Sequence, residues 1–146
     1  MFPPTNKTNG DDPLILPCEV AVKSVVPAVK SLVATQLIEE HGLKQDEVAK
    51  ILGISQSAVS RYTRKNRGQV IKVSDIDDIR PLIDKMTALL LDGRYQGHQF
   101  LAYFCQTCEL VRKSSLMCPF CRKMDTNAEI RRCRFCLDHD LPFDKR

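Results

Sequence analysis

Three observations predict a mainly α-helical chain in which a helix-turn-helix leads into a long amphipathic helix and a small cysteine-rich end. Residues 43–68, LKQDEVAKILGISQSAVSRYTRKNRG, read as a helix, a tight turn and a second helix. Residues 76–90 place Ile76, Ile79, Leu82, Ile83, Met86, Leu89 and Leu90 at a period near 3.6. The last third holds the pairs Cys105-x2-Cys108, Cys118-x2-Cys121 and Cys133-x2-Cys136, separated by nine and eleven residues. A chain of 146 residues accommodates one compact domain or two small ones.

Residues 1–17 carry four prolines, two Asp and two Asn, and predict a flexible N-terminal arm. From about 18 to 41, Val22, Val25, Val26, Val29, Leu32, Val33, Leu37 and Ile38 fall at helical spacings. Pro27 interrupts this run, so a short helix precedes a longer one that has Pro27 in its first turn, where a missing N–H is harmless. Gly42 ends that helix. Cys18 reads as a small buried residue at a helix start.

Within residues 43–68 the first helix is expected over Gln45–Leu52, with Val48, Ala49 and Leu52 facing inward. The small Ala49 permits a close helix crossing. Gly53 supplies the positive φ of the turn, Ile54 plugs it, and Ser55 caps the second helix. Ala58, Val59 and Tyr62 form the buried stripe of that helix, Tyr62 as a core residue rather than a base contact. Asp46 and Glu47 lie one helix earlier and cap it or face away. This leaves Gln56, Ser57, Ser60, Arg61 and Arg64 outward, followed by Lys65 and Arg67 as a basic tail. Gln and Ser read base edges, and Arg pairs with guanine or phosphate. The surface they form is nearly free of acid, as contact with nucleic acid requires.

The run from Pro17-Cys18-Glu19 through Val59-Ser60-Arg61-Tyr62 to Arg67-Gly68 resembles archaeal transcriptional regulators of the XRE, or lambda-repressor-like, class. The resemblance spans roughly residues 17–70, and LGISQSAVSRY is its most specific part. It implies sequence-specific binding of double-stranded DNA, usually as a homodimer. It supplies no effector.

Residues 69–73, QVIKV, suggest one strand of a wing. Ser74-Asp75 offers a cap for the amphipathic helix, which Pro81 kinks or restarts. That helix has two possible uses: to cover the trihelical core, or to pair with its copy in a dimer. Another helix is expected over 98–105, leading into the cysteines.

Composition excludes several classes. Apolar content of 43% is that of a globular protein, and aromatics at 6% with no Trp predict an aliphatic core. Net charge is +4, so the distribution of charge matters more than its sum. No eighteen-residue apolar run and no signal-peptide order at the N-terminus are found, which predicts a cytoplasmic protein without a membrane partner. Seven cysteines in a reducing compartment point to metal or redox chemistry rather than disulfides. No Ser/His/Asp order, phosphate loop or HExxH occurs, so the chain is not read as an enzyme.

Two Cys-x-x-Cys pairs at short separation are a strong metal signal, because four thiolates complete a tetrahedron. Six thiolates exceed one such site. A single zinc could hold Cys105, Cys108, Cys118 and Cys121, leaving Cys133 and Cys136 as a redox pair or a partial second site. Two zincs could share all six with His139 and a further ligand such as His98 or Cys18. An iron–sulfur cluster on four of the thiolates is the alternative cofactor. The basic residues Arg112, Lys113, Arg122, Lys123, Arg131, Arg132 and Arg134 surround the pairs and favour thiolate.

The expected organisation is an arm over 1–17, a helix-turn-helix DNA-binding domain over 18–70, a helical linker or dimerisation segment over 71–98, and a cysteine-rich metal or iron–sulfur domain over 99–146. The expected function is transcriptional regulation with metal or redox sensing. The alternative is a DNA- or RNA-binding adaptor whose zinc is structural and whose ligand is a protein.

Overall fold

The computed structural model describes residues 15–64, 71–93, 97–124 and 133–138. Eight α-helices are found there: α1 (Pro17–Lys23), α2 (Val25–Glu39), α3 (Gln45–Leu52), α4 (Gln56–Thr63), α5 (Ile79–Leu91), α6 (His98–Lys113), α7 (Cys118–Met124) and α8 (Phe135–Asp138). Among the described residues there is no strand. Of the stretch read as a wing, 69 and 70 lie outside the described residues, and Val73 opens a 3₁₀ turn, Val73–Asp75. Ile71 and Val73 are both buried. Ile71 and Val73 therefore plug the core, and residues 71–73 form no strand.

The fold is wrapped around α2. Val25, Val29, Val33 and Leu37 are fully buried along it, and the small Ala28 and Ala34 let neighbouring helices approach closely. α1, α3, α4, α5 and α6 all pack against it. Pro17–Glu39 is long and apolar enough by composition to cross a membrane. Here, however, it is broken at Ser24, whose hydroxyl donates to the Val20 carbonyl at 2.6 Å, and a little over half of its apolar window, 56%, is buried inside the chain. Pro27 falls in the first turn of α2, as the sequence suggests. Gly42 closes the helix at φ +68°, with its N–H donating to the Ile38 carbonyl at 3.1 Å.

α5 begins at Ile79, later than the Ser74-Asp75 cap suggests, because Pro81 occupies its first turn, where it breaks no hydrogen bond. Its stripe of Ile79, Leu82, Ile83, Met86 and Leu90 is buried against α2 and α6. Of the two uses open to this helix, the structure shows core covering. A polar clamp, buried at Gln36 and Thr87 and exposed at Asp84 and Arg80, fixes its rotation. The Gln36 side-chain amide on α2 donates to Asp84 at 2.7 Å and its carbonyl accepts from Thr87 at 3.3 Å, while Arg80 donates to Asp84 at 3.1 Å.

α6 departs most from expectation. It runs to Lys113, well past 105, so the first cysteine pair lies inside a regular helix. Gln106 and Thr107 between the two thiols carry no turn-forming glycine or proline, and Thr107 and Val111 are buried. Burial of that face holds the helix through the pair. Cys18 is also corrected: it is exposed on α1, because Val20 and Ala21 supply the buried face.

Replacing fully buried Leu37 by Ala is expected to cost about 2–5 kcal/mol. In urea unfolding followed by circular dichroism, the midpoint should fall with little change in slope. A loss near zero would mean that α2 is not the centre of the core.

Candidate functional site

The helix-turn-helix forms as its residues dictate. α3 starts at Gln45, and Glu47 accepts from the Lys44 N–H at 2.8 Å, satisfying one orphan donor of the first turn. Glu47 thus caps the helix, one of the two roles expected for it. Gly53 takes φ +63° at the end of α3, and the Ile54 N–H returns to the Ala49 carbonyl at 3.0 Å. Ser55 then caps α4 by accepting from the Ala58 N–H at 3.1 Å. Val48 and Val59 are fully buried, and Ala49 nearly so, at the crossing of the two helices. Tyr62 packs on the core, and its carbonyl accepts from Ser31 of α2 at 3.4 Å.

With α4 fixed in this way, its outer face becomes an open groove lined by Gln56, Ser57, Ser60, Arg61 and Arg64, together with Gln45 of α3. Five of the seven residues proposed from sequence as nucleic-acid contacts are thereby brought together. The other two, Lys65 and Arg67, lie outside the described residues. Gln45, read from sequence only as the first residue of a helix, joins this lining; in a helix-turn-helix the first helix crosses the phosphate backbone, a positional signal for its place there. The lining contains two guanidinium groups and no carboxylate.

The cysteines divide into two groups. Cys118, Cys121, Cys133 and Cys136 all line one cavity of about 280 Å³. Its walls include Arg112 and Ser115 at the end of α6, Arg122 of α7, Arg134, and Ile15, Pro17 and Val20 at the start of α1. Arg112 donates through Nε to the Cys136 sulfur at 3.4 Å. Cys118 is the first residue of α7, and Cys133 lies just before α8. Both pairs therefore bend at a helix start. Fully buried Met117 anchors the nearer pair, its carbonyl accepting from the Phe120 and Cys121 N–H groups at 3.0 and 3.2 Å. Ser115 makes the turn between α6 and α7 at φ +66°. Among the described residues, no three His, Cys, Asp or Glu side chains converge closely enough, as placed, to hold an ion. The four thiols share a space rather than a point.

Cys105 is exposed and Cys108 is half-buried against the core; neither lines the cavity. Burial pushes the Cys108 thiol up to about 11, with Cys105 raising it further and Arg112 lowering it. Burial likewise raises the Cys121 thiol, followed by the charges of Cys118, Cys136 and Cys133, with Arg112 opposing. Each of these thiols thus feels the other cysteines of its own group, and both feel Arg112. Of the other residues considered as ligands, His98 opens α6, fourteen residues before Arg112, or about 21 Å along the helix axis. Cys18 is not among the lining residues, and His139 lies outside the described residues. Of the surrounding cations, Lys113 pairs with Glu109 at 2.7 Å and Lys123 lies over the Phe120 ring, while Arg131 and Arg132 lie outside the described residues.

The fold and the groove define a helix-turn-helix domain. A family model described as Helix-turn-helix matches residues 36–69, the end of α2 through α4 and the residues after it. The match supports the XRE-like reading of this segment and points to the class of DNA-binding transcription regulators. No curated protein and no solved structure matches the chain.

A thiol near 11 is neutral below that pH, so only about one Cys108 in a thousand is the nucleophilic thiolate at pH 8. On metal-free protein, iodoacetamide labelling followed by peptide mass spectrometry should find Cys108 lagging the exposed Cys105 at pH 8. The lag should close as the pH approaches 11. Equal rates at pH 8 would contradict the packing of Cys108.

Proposed function

We propose that this chain is a sequence-specific, double-stranded-DNA-binding transcriptional regulator that acts as a cytoplasmic homodimer. The observation that carries the reading is the groove on α4, where Gln56, Ser57, Ser60, Arg61 and Arg64 project together with no acid among them. Gln56 and Ser57 open the helix, the end that enters the major groove in this motif. Arg61, one turn further on, reaches a base edge bidentately, and Arg64, Lys65 and Arg67 serve the backbone. Gln45 holds the neighbouring phosphate from the start of α3. The function is binding, not catalysis.

The cysteine-rich region, in this proposal, binds metal, with zinc as the first assignment and an iron–sulfur cluster as the alternative, and reports metal or redox state. The donor chemistry supports it: four thiols share one cavity with three arginines, whose charge offsets that of thiolates. A second reading is an adaptor with a purely structural metal, which recruits a protein partner. It is favoured by Phe135 and Leu137, large apolar side chains each 44% exposed on α8. Metal that exchanges or changes redox state under mild conditions supports the sensor, and inert metal the adaptor.

Selection from a random duplex pool, followed by gel shift, tests the DNA reading. Selected sites should contain two half-sites about 10–10.5 bp apart, centre to centre, or a multiple of that spacing. Arg61→Ala should weaken binding to the selected site by about 1–3 kcal/mol and relax one position. Arg64→Ala should weaken all sequences alike and lower the salt slope by about 1. Enrichment of no sequence would overturn the reading, and a single half-site would overturn the dimer.

A further inference from the structure

We propose that the second and third Cys-x-x-Cys pairs, Cys118, Cys121, Cys133 and Cys136, form one thiolate metal centre seated against α1, and that Cys105 and Cys108 take no part in it. The inference rests on the reading of the cysteine-rich region as metal-binding, and says which thiols carry it.

Pairing by sequence order would join the first two pairs, which are separated by only nine residues. The geometry argues otherwise. Four thiolates around one ion at about 2.3 Å stand about 4 Å from one another. The cavity gathers four sulfurs on one wall system, and all four come from the second and third pairs. Cys105 and Cys108 lie inside α6, seven and four residues before Arg112, or about 10 and 6 Å along the axis from the residue that marks the cavity. To join the centre they would have to unwind a helix that buried Thr107 and Val111 hold in place. Arg112 is already engaged on the cavity side, with its Nε–H on the Cys136 sulfur at 3.4 Å.

The four assigned thiols have the freedom that the first pair lacks. Cys118 and Cys121 sit at the first turn of a seven-residue helix, and Cys133 precedes a four-residue one. Turning their side chains inward needs no change in a long element. A cavity of about 280 Å³ compares with about 30 Å³ for one water, so there is room for the sulfurs to close on an ion or for a cluster to sit among them. Arg112, Arg122 and Arg134 on its walls oppose the net negative charge of a four-thiolate centre, and the Arg112 N–H supplies an outer hydrogen bond to sulfur. The remaining wall is Ile15, Pro17 and Val20. Closing the centre therefore braces α1, the helix packed directly on α2.

The test uses the full chain purified without oxygen, analysed for zinc, iron and acid-labile sulfide, then stripped and reloaded with cobalt(II) alone. Zinc without sulfide, or iron with sulfide, distinguishes the two kinds of centre. One centre per chain is expected. The variant C105S/C108S should keep that stoichiometry and the cobalt thiolate absorption. C118S and C133S should each lose metal affinity by more than about a hundredfold, the upper range for changes outside the ligand shell. Cys121→His should keep a tetrahedral cobalt spectrum with weaker thiolate absorption, showing that a ligand was exchanged rather than the fold lost. Hydrogen exchange over α1 should slow on cobalt loading in the parent and in C105S/C108S, but not in C118S. Loss of metal from C105S/C108S with retention in C118S would overturn the assignment while leaving metal binding intact. A parent chain that holds no metal and takes up no cobalt would overturn both.

Discussion

The constraint on which the rest depends is the burial of the apolar residues of α2 by five neighbouring helices. A helix apolar on most of its circumference is stable in water only if other elements surround it. Val25, Val29, Val33 and Leu37 meet that condition by accepting α1, α3, α4, α5 and α6 as neighbours. Fully burying each such side chain contributes on the order of 1.5–3 kcal/mol. Two polar residues, Ser31 and Gln36, accompany them. Buried Gln36 would cost about 1–3 kcal/mol if left without partners, so Asp84 and Thr87 must face it. That requirement sets the rotation of α5 about its axis, and with it which residues of α5 meet α6.

The DNA-reading half was legible because its signals are local. A small residue at Ala49, a left-handed glycine at Gly53 and a hydroxyl cap at Ser55 each have one good structural answer, and each lies within a few residues of the feature it controls. The bounds of α3 followed from them. What could not be read is long-range. Whether α5 covers a core or seeks a copy of itself depends on α2 and α6, which the period of its own sequence does not contain. Cys18 was misplaced for the same reason, since Val20 and Ala21 are preferred by the surface of α2 and turn the cysteine outward.

The first cysteine pair shows that Cys-x-x-Cys spacing does not by itself fix the local backbone. Cys-x-x-Cys at helical spacing is compatible with a helix as well as with a knuckle. The sequence between the thiols decides little, and the buried flank of Thr107 and Val111 decides for the helix. In the second pair, Pro119 follows the first cysteine at the second position of α7, where its missing N–H costs nothing, and the chain has just turned at Ser115. The same four-residue pattern therefore has two structural meanings in one chain. Motif spacing identifies candidate ligands, and the helix each pair sits in sets how freely its side chains turn.

These two halves meet at α2 but in different ways. α4 is bound to it through fully buried Val59 and the Ser31–Tyr62 hydrogen bond, contacts that leave the recognition face little freedom to tilt. α1 is joined to it across Ser24, where the helix is interrupted and the backbone adopts φ −125°, ψ −62°. A change at the four-thiol cavity presses on Ile15, Pro17 and Val20, hence on the jointed helix and not on the clamped one. Coupling between distant sites requires an element with two arrangements that both sites can bias. By that criterion α1, jointed to α2 at Ser24, is the described element placed to take up such a change, whereas α4 is held by Val59 and the Ser31–Tyr62 bond.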